Sequence, residues 1–338
     1  MPGFLSVLVL SALLFTGMFL GQTNAEPIPD VDESVAQQIR IKAEQGDAEA
    51  QNNLGVMYAN GEGIARDDKQ AAFWFRKAAE QGYAEAQLLL GLMYNEGQGD
   101  LVKDQGQAVA WFRKAAKQGL AVAQYNLGVM YARGEGVAQD NEQAVSWYRK
   151  AAEGGEAIAQ NNLAAMYANG EGVAQSDKQA AFWYRKAAEQ GLPTAQNNLG
   201  AMYTRGEGVL QDDEQAFAWY HEAAKQGYAE AQNNLGVMYA NGKGVAQDDS
   251  QAAFWFRKAA NQGEAMAQLN LGRMYFSGTG VRQDRAQAYL WTYLAAAQQS
   301  EKALNTLNGL PKAMTPSQIQ EGKNLVREWL ATHPQAAK

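Results

Sequence analysis

Apolar residues follow two different helical spacings that alternate along most of this chain. In the stretch that starts at Ala48 they fall at i, i+4, i+7 and i+8, one face of a helix: Ala50, Leu54, Met57 and Tyr58. Beyond a polar stretch with two glycines they fall at i, i+3, i+4 and i+7, one face of a second helix: Ala71, Trp74, Phe75 and Ala78. The pattern predicts a helical hairpin whose two apolar faces pack together.

The hairpin pattern recurs with a nearly fixed period, which a tryptophan on the second helix marks. The spacing is 37 residues once and then 36 residues five times, between Trp74, Trp111, Trp147, Trp183, Trp219, Trp255 and Trp291. A period of this length indicates repeats that bury their apolar faces by stacking on their neighbours. The sequence therefore predicts an all-α solenoid of seven helix-turn-helix repeats over residues 48–299, with the tryptophans in the core.

Glycines and a capping motif mark the turns of each hairpin. Gly61 and Gly63 follow the first helix of the first repeat, where a left-handed backbone favours glycine. The second helix opens with a capping residue and, three positions later, a glutamine, as in Asp67 and Gln70. We expect a full capping box, in which each of these side chains accepts a hydrogen bond from the backbone amide of the other residue.

Two flanking segments are predicted to close the ends of the array. Residues 26–47 read as a linker and an N-terminal capping helix, because Val35, Ile39 and Ala43 are evenly spaced. Residues 300–338 read as C-terminal capping helices. There Thr315 supplies a helix cap, with a proline at the first helical position and Gln318 at the third.

The repeat motif resembles the Sel1-like repeat, a relative of the tetratricopeptide repeat. Each unit reads Ala-x-Ala-Gln-x-x-Leu-Gly-x-Met-Tyr, then Gly-x-Gly-Val, Asp, Ala-x-x-Trp-Tyr/Phe and Ala-Ala-x-x-Gly, with few departures. The resemblance implies antiparallel helices wound into a right-handed superhelix. It also implies a scaffold or adaptor that binds a protein or peptide partner, which we expect along its concave surface.

The first 25 residues read as an export signal. The stretch 4–20 is largely apolar, residues 1–25 carry no charged side chain, and Thr23-Asn24-Ala25 supplies small residues before a cleavage point at Glu26. An uncleaved membrane anchor is the alternative. The chain also lacks cysteine, which excludes disulfides and thiol chemistry. We expect a bacterial protein that is periplasmic or secreted, with no stable membrane insertion after signal cleavage.

Charge and motifs argue against several classes of function. The net charge is −7 without a basic run, so nucleic acid is not an expected partner. His221 and His333 are the two histidines, and phosphate-binding loops, nucleophile elbows and metal-binding histidine pairs are lacking. We therefore expect that the protein is not an enzyme and that it has no catalytic residues, cofactor or metal. The alternative is an envelope enzyme or binder that acts on cell-wall glycan or a β-lactam through carboxylates.

A variable set of positions on the first helix of each repeat is the candidate partner-binding surface. These positions differ between repeats while the packing positions hardly change. The candidate residues are Asn53, Leu89, Tyr125, Asn126, Arg133, Asn162, Asn198, Arg205, Asn234, Asn270, Arg273 and Phe276. Six of them are asparagines that directly precede the recurring leucine of the repeat motif. They either bind the backbone of a peptide partner or hydrogen-bond to the backbone of a neighbouring repeat and set the pitch of the superhelix.

Three phenylalanines on the second helices lie outside this set of candidates. Phe73, Phe182 and Phe254 point roughly opposite the alanine-lined face of their helices. We expect each of them to bury an edge against an adjacent helix; if exposed, they would be possible partner contacts.

Overall fold

The computed structural model describes residues 33–298 and 300–333. Within these residues the chain forms seventeen α-helices and one short 3-10 helix and no β-strand, which confirms the predicted all-α fold of helical repeats. The predicted export signal over residues 1–25 lies outside the described part. None of the helices in that part is both long enough and apolar enough to span a bilayer. We call the first and second helix of each repeat helix A and helix B.

The described residues fall into two compact units, and the first of these ends at Gly155. It begins with α1, Glu33–Glu44, which packs against the first helix A. Three A–B pairs follow: α2 (Ala48–Asn60) and α3 (Asp68–Glu80), α4 (Ala84–Glu96) and α5 (Gln105–Lys117), and α6 (Ala121–Arg133) and α7 (Asn141–Glu153).

The second unit begins at Glu156 and contains the other four A–B pairs and the C-terminal helices. The pairs are α8 (Ala157–Asn169) and α9 (Asp177–Glu189), α10 (Pro193–Arg205) and α11 (Asp213–Lys225), α12 (Ala229–Asn241) and α13 (Asp249–Asn261), and α14 (Ala265–Ser277) and α15 (Arg285–Ala297). Next come α16 (Glu301–Gly309), the 3-10 helix (Leu310–Ala313) and α17 (Pro316–Thr332).

The turn from helix A to helix B uses the predicted glycine but only half of the predicted capping box. Gly61 adopts a left-handed conformation with φ of 74° and donates its amide hydrogen to Met57 O. Asp67 then caps helix B by accepting from the Gln70 amide at 3.1 Å. The prediction of a return bond from the Asp67 amide to the Gln70 side chain was wrong, because that amide donates to Tyr58 O of helix A at 2.9 Å. A hydrogen bond to the preceding helix A therefore closes the turn.

Helices A and B approach closely because small residues line their interface. Ala71 and Ala78 of α3 are fully buried, as is Leu54 of α2. A Cβ on Gly55 would lie 2.6 Å from ring carbons of Phe75, so the helix backbone packs directly on that ring. Such packing leaves little free volume, and core substitutions are costly as a result.

The recurring tryptophan is less buried than the sequence suggested. In repeats 1–5 it is half-buried, and the fully buried aromatic side chain is the next residue, such as Phe75 or Phe112. Trp255 and Trp291 alone of the series are buried, at 8% and 5% exposure. In repeats 1–5 the tryptophan therefore lies at the border of the core face of helix B, partly exposed to solvent.

The C-terminal helix α17 packs against α15 of the last repeat. Its cap contains both bonds of a capping box, since Gln318 N–H donates to Thr315 Oγ1 and Thr315 N–H donates to Gln318 Oε1. Val326 is buried in the apolar cluster of repeat 7, and Trp329 packs edge-on against Trp291 with ring centroids 5.0 Å apart. At the other end, Ala36 and Ala43 of α1 are buried, whereas Val35 is exposed.

Candidate partner-binding surface

Each helix A has one face that is not covered by its own helix B. It consists of four positions spaced i, i+4, i+7 and i+11, which are Glu49, Asn53, Val56 and Asn60 in repeat 1. We call the equivalent residues of all repeats the A face. Most are half-buried or exposed, while most of the residues between them are buried in the core.

In the second unit the A face carries exposed apolar side chains together with arginines. Ile158, Val237 and Met266 are 40%, 36% and 39% exposed. Arg205 and Arg273 are also exposed. Large apolar side chains on the surface are typical of contact sites when they share a face with polar residues.

The asparagines of the A face in the second unit hydrogen-bond between repeats. Asn234 donates its side-chain amide to Asn197 Oδ1 at 3.0 Å, and Asn270 donates to Asn233 Oδ1 at 3.1 Å. Asn198 makes a longer bond of the same kind, 3.5 Å, to Asn161. The acceptor is a side chain of the preceding repeat, not its backbone. These amides connect adjacent A helices, so the interpretation of a bond between repeats holds for them, but the backbone acceptor that it expected was wrong.

The fourth A-face asparagine of this unit, Asn162, makes a bond within its own helix. Its Oδ1 accepts from the Asn161 side-chain amide at 3.3 Å.

In the first unit the asparagine series is interrupted at Leu89. This candidate residue is 8% exposed and belongs to the apolar core of repeat 2, so it does not lie on the surface. It stands where an asparagine donor would reach Asn52, and Asn52 Oδ1 is buried without a hydrogen-bond partner among the described residues. The leucine therefore leaves a buried acceptor unpaired.

The other candidates in the first unit remain near the surface. Asn53 is half-buried, and Asn126 is half-buried and donates to Val122 O of its own helix at 2.8 Å. Tyr125 is half-buried and its ring lies 5.9 Å from that of Tyr148. Asn53 and Asn126 share the A face, whereas Tyr125 lies at its edge.

The three candidate arginines differ in their partners. Arg205 Nε donates to Glu207 Oε2 at 2.7 Å, and Arg133 lies 3.8 Å from Glu135. Both glutamates belong to the following turn. Arg273 makes no ion pair with any described residue and is exposed. Exposed ion pairs contribute little to stability, so Arg133 and Arg205 remain accessible to an anionic ligand.

Phe276, the last candidate, is half-buried one turn beyond Arg273. The guanidinium of Arg285 lies over its ring, 5.3 Å from the centroid.

Sequence reasoning missed a row of buried glutamines beside the A face. Gln196 donates to Ala188 O of the preceding helix B and accepts from Gln226, at 3.2 Å and 2.9 Å. The same pair of bonds recurs at Gln87, Gln232 and Gln268. The signal was the invariant Ala-Gln of the repeat motif, since a polar residue that never varies at a helix interface needs a fixed partner.

The phenylalanines of the B helices are exposed, contrary to expectation. Phe73, Phe182 and Phe254 are 47%, 49% and 47% exposed, and each packs edge-on against the tryptophan that follows it. The repeats between them have alanine or serine at this position: Ala110, Ser146 and Ala218. The exposed rings are therefore separate from one another within each unit.

Comparison with known proteins identifies the repeat. The family model of the Sel1 repeat matches residues 48–83, 84–120, 121–156, 157–192, 193–228, 229–264 and 265–300. The chain belongs to the Sel1-repeat family. Proteins built from Sel1 repeats are generally scaffolds for protein–protein interaction, and their fold is typically non-catalytic.

Two solved structures resemble this Sel1-repeat chain over most of its length. A Sel1 repeat protein from Oxalobacter formigenes is 40% identical, with 83% of each chain covered and a TM-score of 0.66. The c5321 protein, a protective antigen present in uropathogenic Escherichia coli strains that displays an SLR fold, is 29% identical. That alignment covers 91% of this chain and 96% of c5321, with a TM-score of 0.52. No curated protein sequence matches the chain.

Proposed function

We propose that this chain is an exported bacterial scaffold that binds a protein partner through its A face. The observation that carries this proposal is the composition of the A face in the second unit, where exposed Ile158, Val237 and Met266 accompany exposed arginines. The partner segment that fits such a surface has apolar side chains alternating with acidic ones.

The asparagines contribute to this function indirectly. Their amides bond to neighbouring repeats, as Asn234 does to Asn197, so they hold adjacent A helices in register. A surface that is rigid before binding loses less conformational entropy when a partner binds. The side chains that contact the partner are then the exposed ones between the asparagines, together with Arg205 and Arg273.

Export is the second part of the proposal. The apolar, uncharged residues 1–25 and the small residues before Glu26 support removal of a signal segment. Expression of the full chain in a bacterium and mass spectrometry of the purified product test this part. We expect a mature chain that starts at Glu26 and is recovered from the periplasm or the medium. An intact N terminus in the cell pellet would contradict it.

Partner binding is tested by charge substitutions on the A face and, as a control, on the B helices. The variant Ile158→Asp/Val237→Asp/Met266→Asp adds three charges to the A face. The variant Phe182→Asp/Phe254→Asp adds two charges at apolar positions of the B helices, which are even more exposed. Partners captured from envelope and host extracts by the unmodified chain are identified by mass spectrometry and then titrated against both variants. We expect the A-face variant to lose binding and the B-helix variant to keep it.

A second set tests the charges of the surface. Replacing Arg133, Arg205 and Arg273 with glutamate should weaken binding most strongly at low salt, because screening reduces electrostatic attraction. Circular dichroism checks that each variant remains helical. Equal affinity of all variants would place the binding surface elsewhere.

A further inference from the structure

Repeat 7 differs from the other repeats in its charge. Residues 265–300 contain three arginines, Arg273, Arg282 and Arg285, and a single acidic residue, Asp284. In each of the other six repeats the acidic residues equal or outnumber the lysines and arginines. A positively charged repeat in a chain of net charge −7 attracts anions locally.

A cleft of about 700 Å³ opens where helix B of repeat 6 meets the turn of repeat 7. Its lining includes Arg257 from α13, Tyr275 from α14, Arg282 from the turn and Gln287 from α15. Both arginines are exposed. Sites for whole ligands have about 300–1,000 Å³, so the cleft has room for several side chains of a bound segment.

One of the two arginines belongs to the common frame of the repeats. The Arg257 guanidinium donates to Tyr275 Oη at 2.7 Å. Bonds with the same spacing of 18 residues occur elsewhere in the chain: Arg40–Tyr58, Arg76–Tyr94, Arg113–Tyr131 and Arg185–Tyr203. The other arginine is a departure from the motif, since Arg282 stands where the other repeats have an apolar residue. These residues are Ala65, Val102, Ala138, Ala174, Leu210 and Ala246.

Repeat 7 also lacks the carboxylates that lie near the turn in other repeats. In repeat 1 the turn residue Arg66 pairs with Asp68 at 3.0 Å, and repeat 7 has Arg285 at the position of Asp68. Repeats 1, 3, 4 and 5 have a glutamate between the two glycines of the turn, where repeat 7 has Thr279. Arg282 accordingly makes no ion pair with any described residue, and its charge is available to a ligand.

The other polar groups of the cleft are mainly free donors. Tyr275 Oη accepts from Arg257, so its own hydroxyl hydrogen is free to bond a ligand. Gln287 Oε1 accepts from Trp291 Nε1 at 3.2 Å, which leaves the Gln287 Nε2 hydrogens as donors. Asp284 is the single acid among the described lining residues, and its Oδ1 accepts from the Gln287 backbone amide at 3.0 Å. Two guanidinium groups, a phenol and an amide in one cleft favour an oxyanion ligand.

We propose that this cleft binds two carboxylates of an acidic segment in the protein partner. One carboxylate pairs with Arg282 in the bidentate geometry typical of guanidinium groups, and the other pairs with the Arg257 hydrogens that Tyr275 leaves free. The inference rests on the proposed function, since the segment belongs to the partner. It adds a second contact, separate from the A face, and names the residue type that binds there.

Labelled peptides test the cleft without the partner. Fluorescence anisotropy of fluorescein-labelled hexaglutamate, titrated with the purified chain, should show saturable binding that labelled hexaglutamine lacks. The affinity should fall as salt rises, because salt screens the attraction. Arg282→Ala restores the residue that repeats 1, 3, 4 and 6 have, so it should fold. It should bind hexaglutamate about tenfold more weakly or worse, the usual effect of losing hydrogen bonds between charged groups.

Three further variants assign the effect to residues. Lys243→Ala is the matched control, since it removes one exposed positive charge from the turn of repeat 6 and does not alter the cleft; it should change the affinity by less than about twofold. Arg282→Lys keeps the charge without the bidentate bond and should have an intermediate affinity. Arg257→His introduces the residue that repeat 5 has there, His221, and should weaken binding at about pH 8, where histidine is largely neutral.

The outcomes separate this inference from its alternatives. Equal losses in Arg282→Ala and Lys243→Ala would show non-specific attraction and overturn the site. Inorganic phosphate at constant ionic strength should displace labelled peptide less effectively than unlabelled hexaglutamate does. More effective displacement by phosphate would make the cleft a site for free oxyanions and overturn its assignment to a peptide.

The outcomes also separate this inference from the proposed function. Hexaglutamate binding that needs Arg282 and Arg257 supports the site even if extracts yield no partner, and that second result would count against the scaffold function alone. A captured partner that binds Arg282→Ala as tightly as the unmodified chain would overturn the role of the cleft in partner binding.

Discussion

Asparagine pairing between repeats can be tested by making the same substitution at two equivalent positions. Asn52 in repeat 1 and Asn197 in repeat 5 are both buried, at 4% and 1% exposure. Asn197 Oδ1 accepts from Asn234 at 3.0 Å, whereas Asn52 Oδ1 has no partner among the described residues. Leucine fits this position, since Leu269 has it in repeat 7 and is fully buried.

The two substitutions should therefore have different effects on local stability. Asn52→Leu removes an unpaired buried acceptor, which should stabilise by about 1–3 kcal/mol. Asn197→Leu removes a hydrogen bond and leaves the half-buried Asn234 amide unpaired, which should cost about 1 kcal/mol. The gain from burying leucine is common to both and cancels in the comparison. The change in local unfolding free energy caused by Asn52→Leu should therefore lie about 2–4 kcal/mol above the change caused by Asn197→Leu.

Hydrogen exchange measured by mass spectrometry reports this difference locally, which matters because repeat arrays need not unfold in one step. Peptides from α2 report on Asn52→Leu, and peptides from α10 report on Asn197→Leu. The double variant Asn197→Leu/Asn234→Leu is the control, since removing both partners should recover most of the loss. If exchange in α2 of Asn52→Leu accelerates as much as exchange in α10 of Asn197→Leu, the pairing argument is refuted.

Three further predictions follow from the packing of the second unit. Phe256→Ala should lower the free energy of unfolding by about 3–5 kcal/mol and Phe254→Ala by less than about 1 kcal/mol, because only Phe256 is buried; urea denaturation compares them. Gly191→Ala should cost about 1–2 kcal/mol for its positive φ, and Gly208→Ala at least about 1 kcal/mol more, since its Cβ would also collide with a backbone carbonyl; thermal denaturation ranks them. Burial raises the pKa of Tyr220, so its contribution to stability is present below about pH 10 and is lost as the pH rises further. The free energy of unfolding, measured by urea denaturation, should therefore fall less between about pH 8 and about pH 11 in Tyr220→Phe than in the unmodified chain.

The fold of this chain was predictable because its signal is local and repeated. Each hairpin shows helix spacing, a glycine stop and a capping residue, and the tryptophan period shows how many hairpins there are. The reciprocal bond of the capping box was not predictable from the motif. Whether the Asp67 amide is free to bond Gln70 depends on how near Tyr58 of the preceding helix lies, and that distance is a tertiary property.

The candidate surface was predictable in outline but not residue by residue. Variation among repeats pointed to helix A, yet Leu89, which stands where the other repeats have asparagine, is buried. Ile158 and Met266 also vary and are exposed, although they were not among the candidates. Periodicity gives the angle of a side chain around its helix. It does not give the distance to the next helix, and that distance decides which variable positions reach solvent.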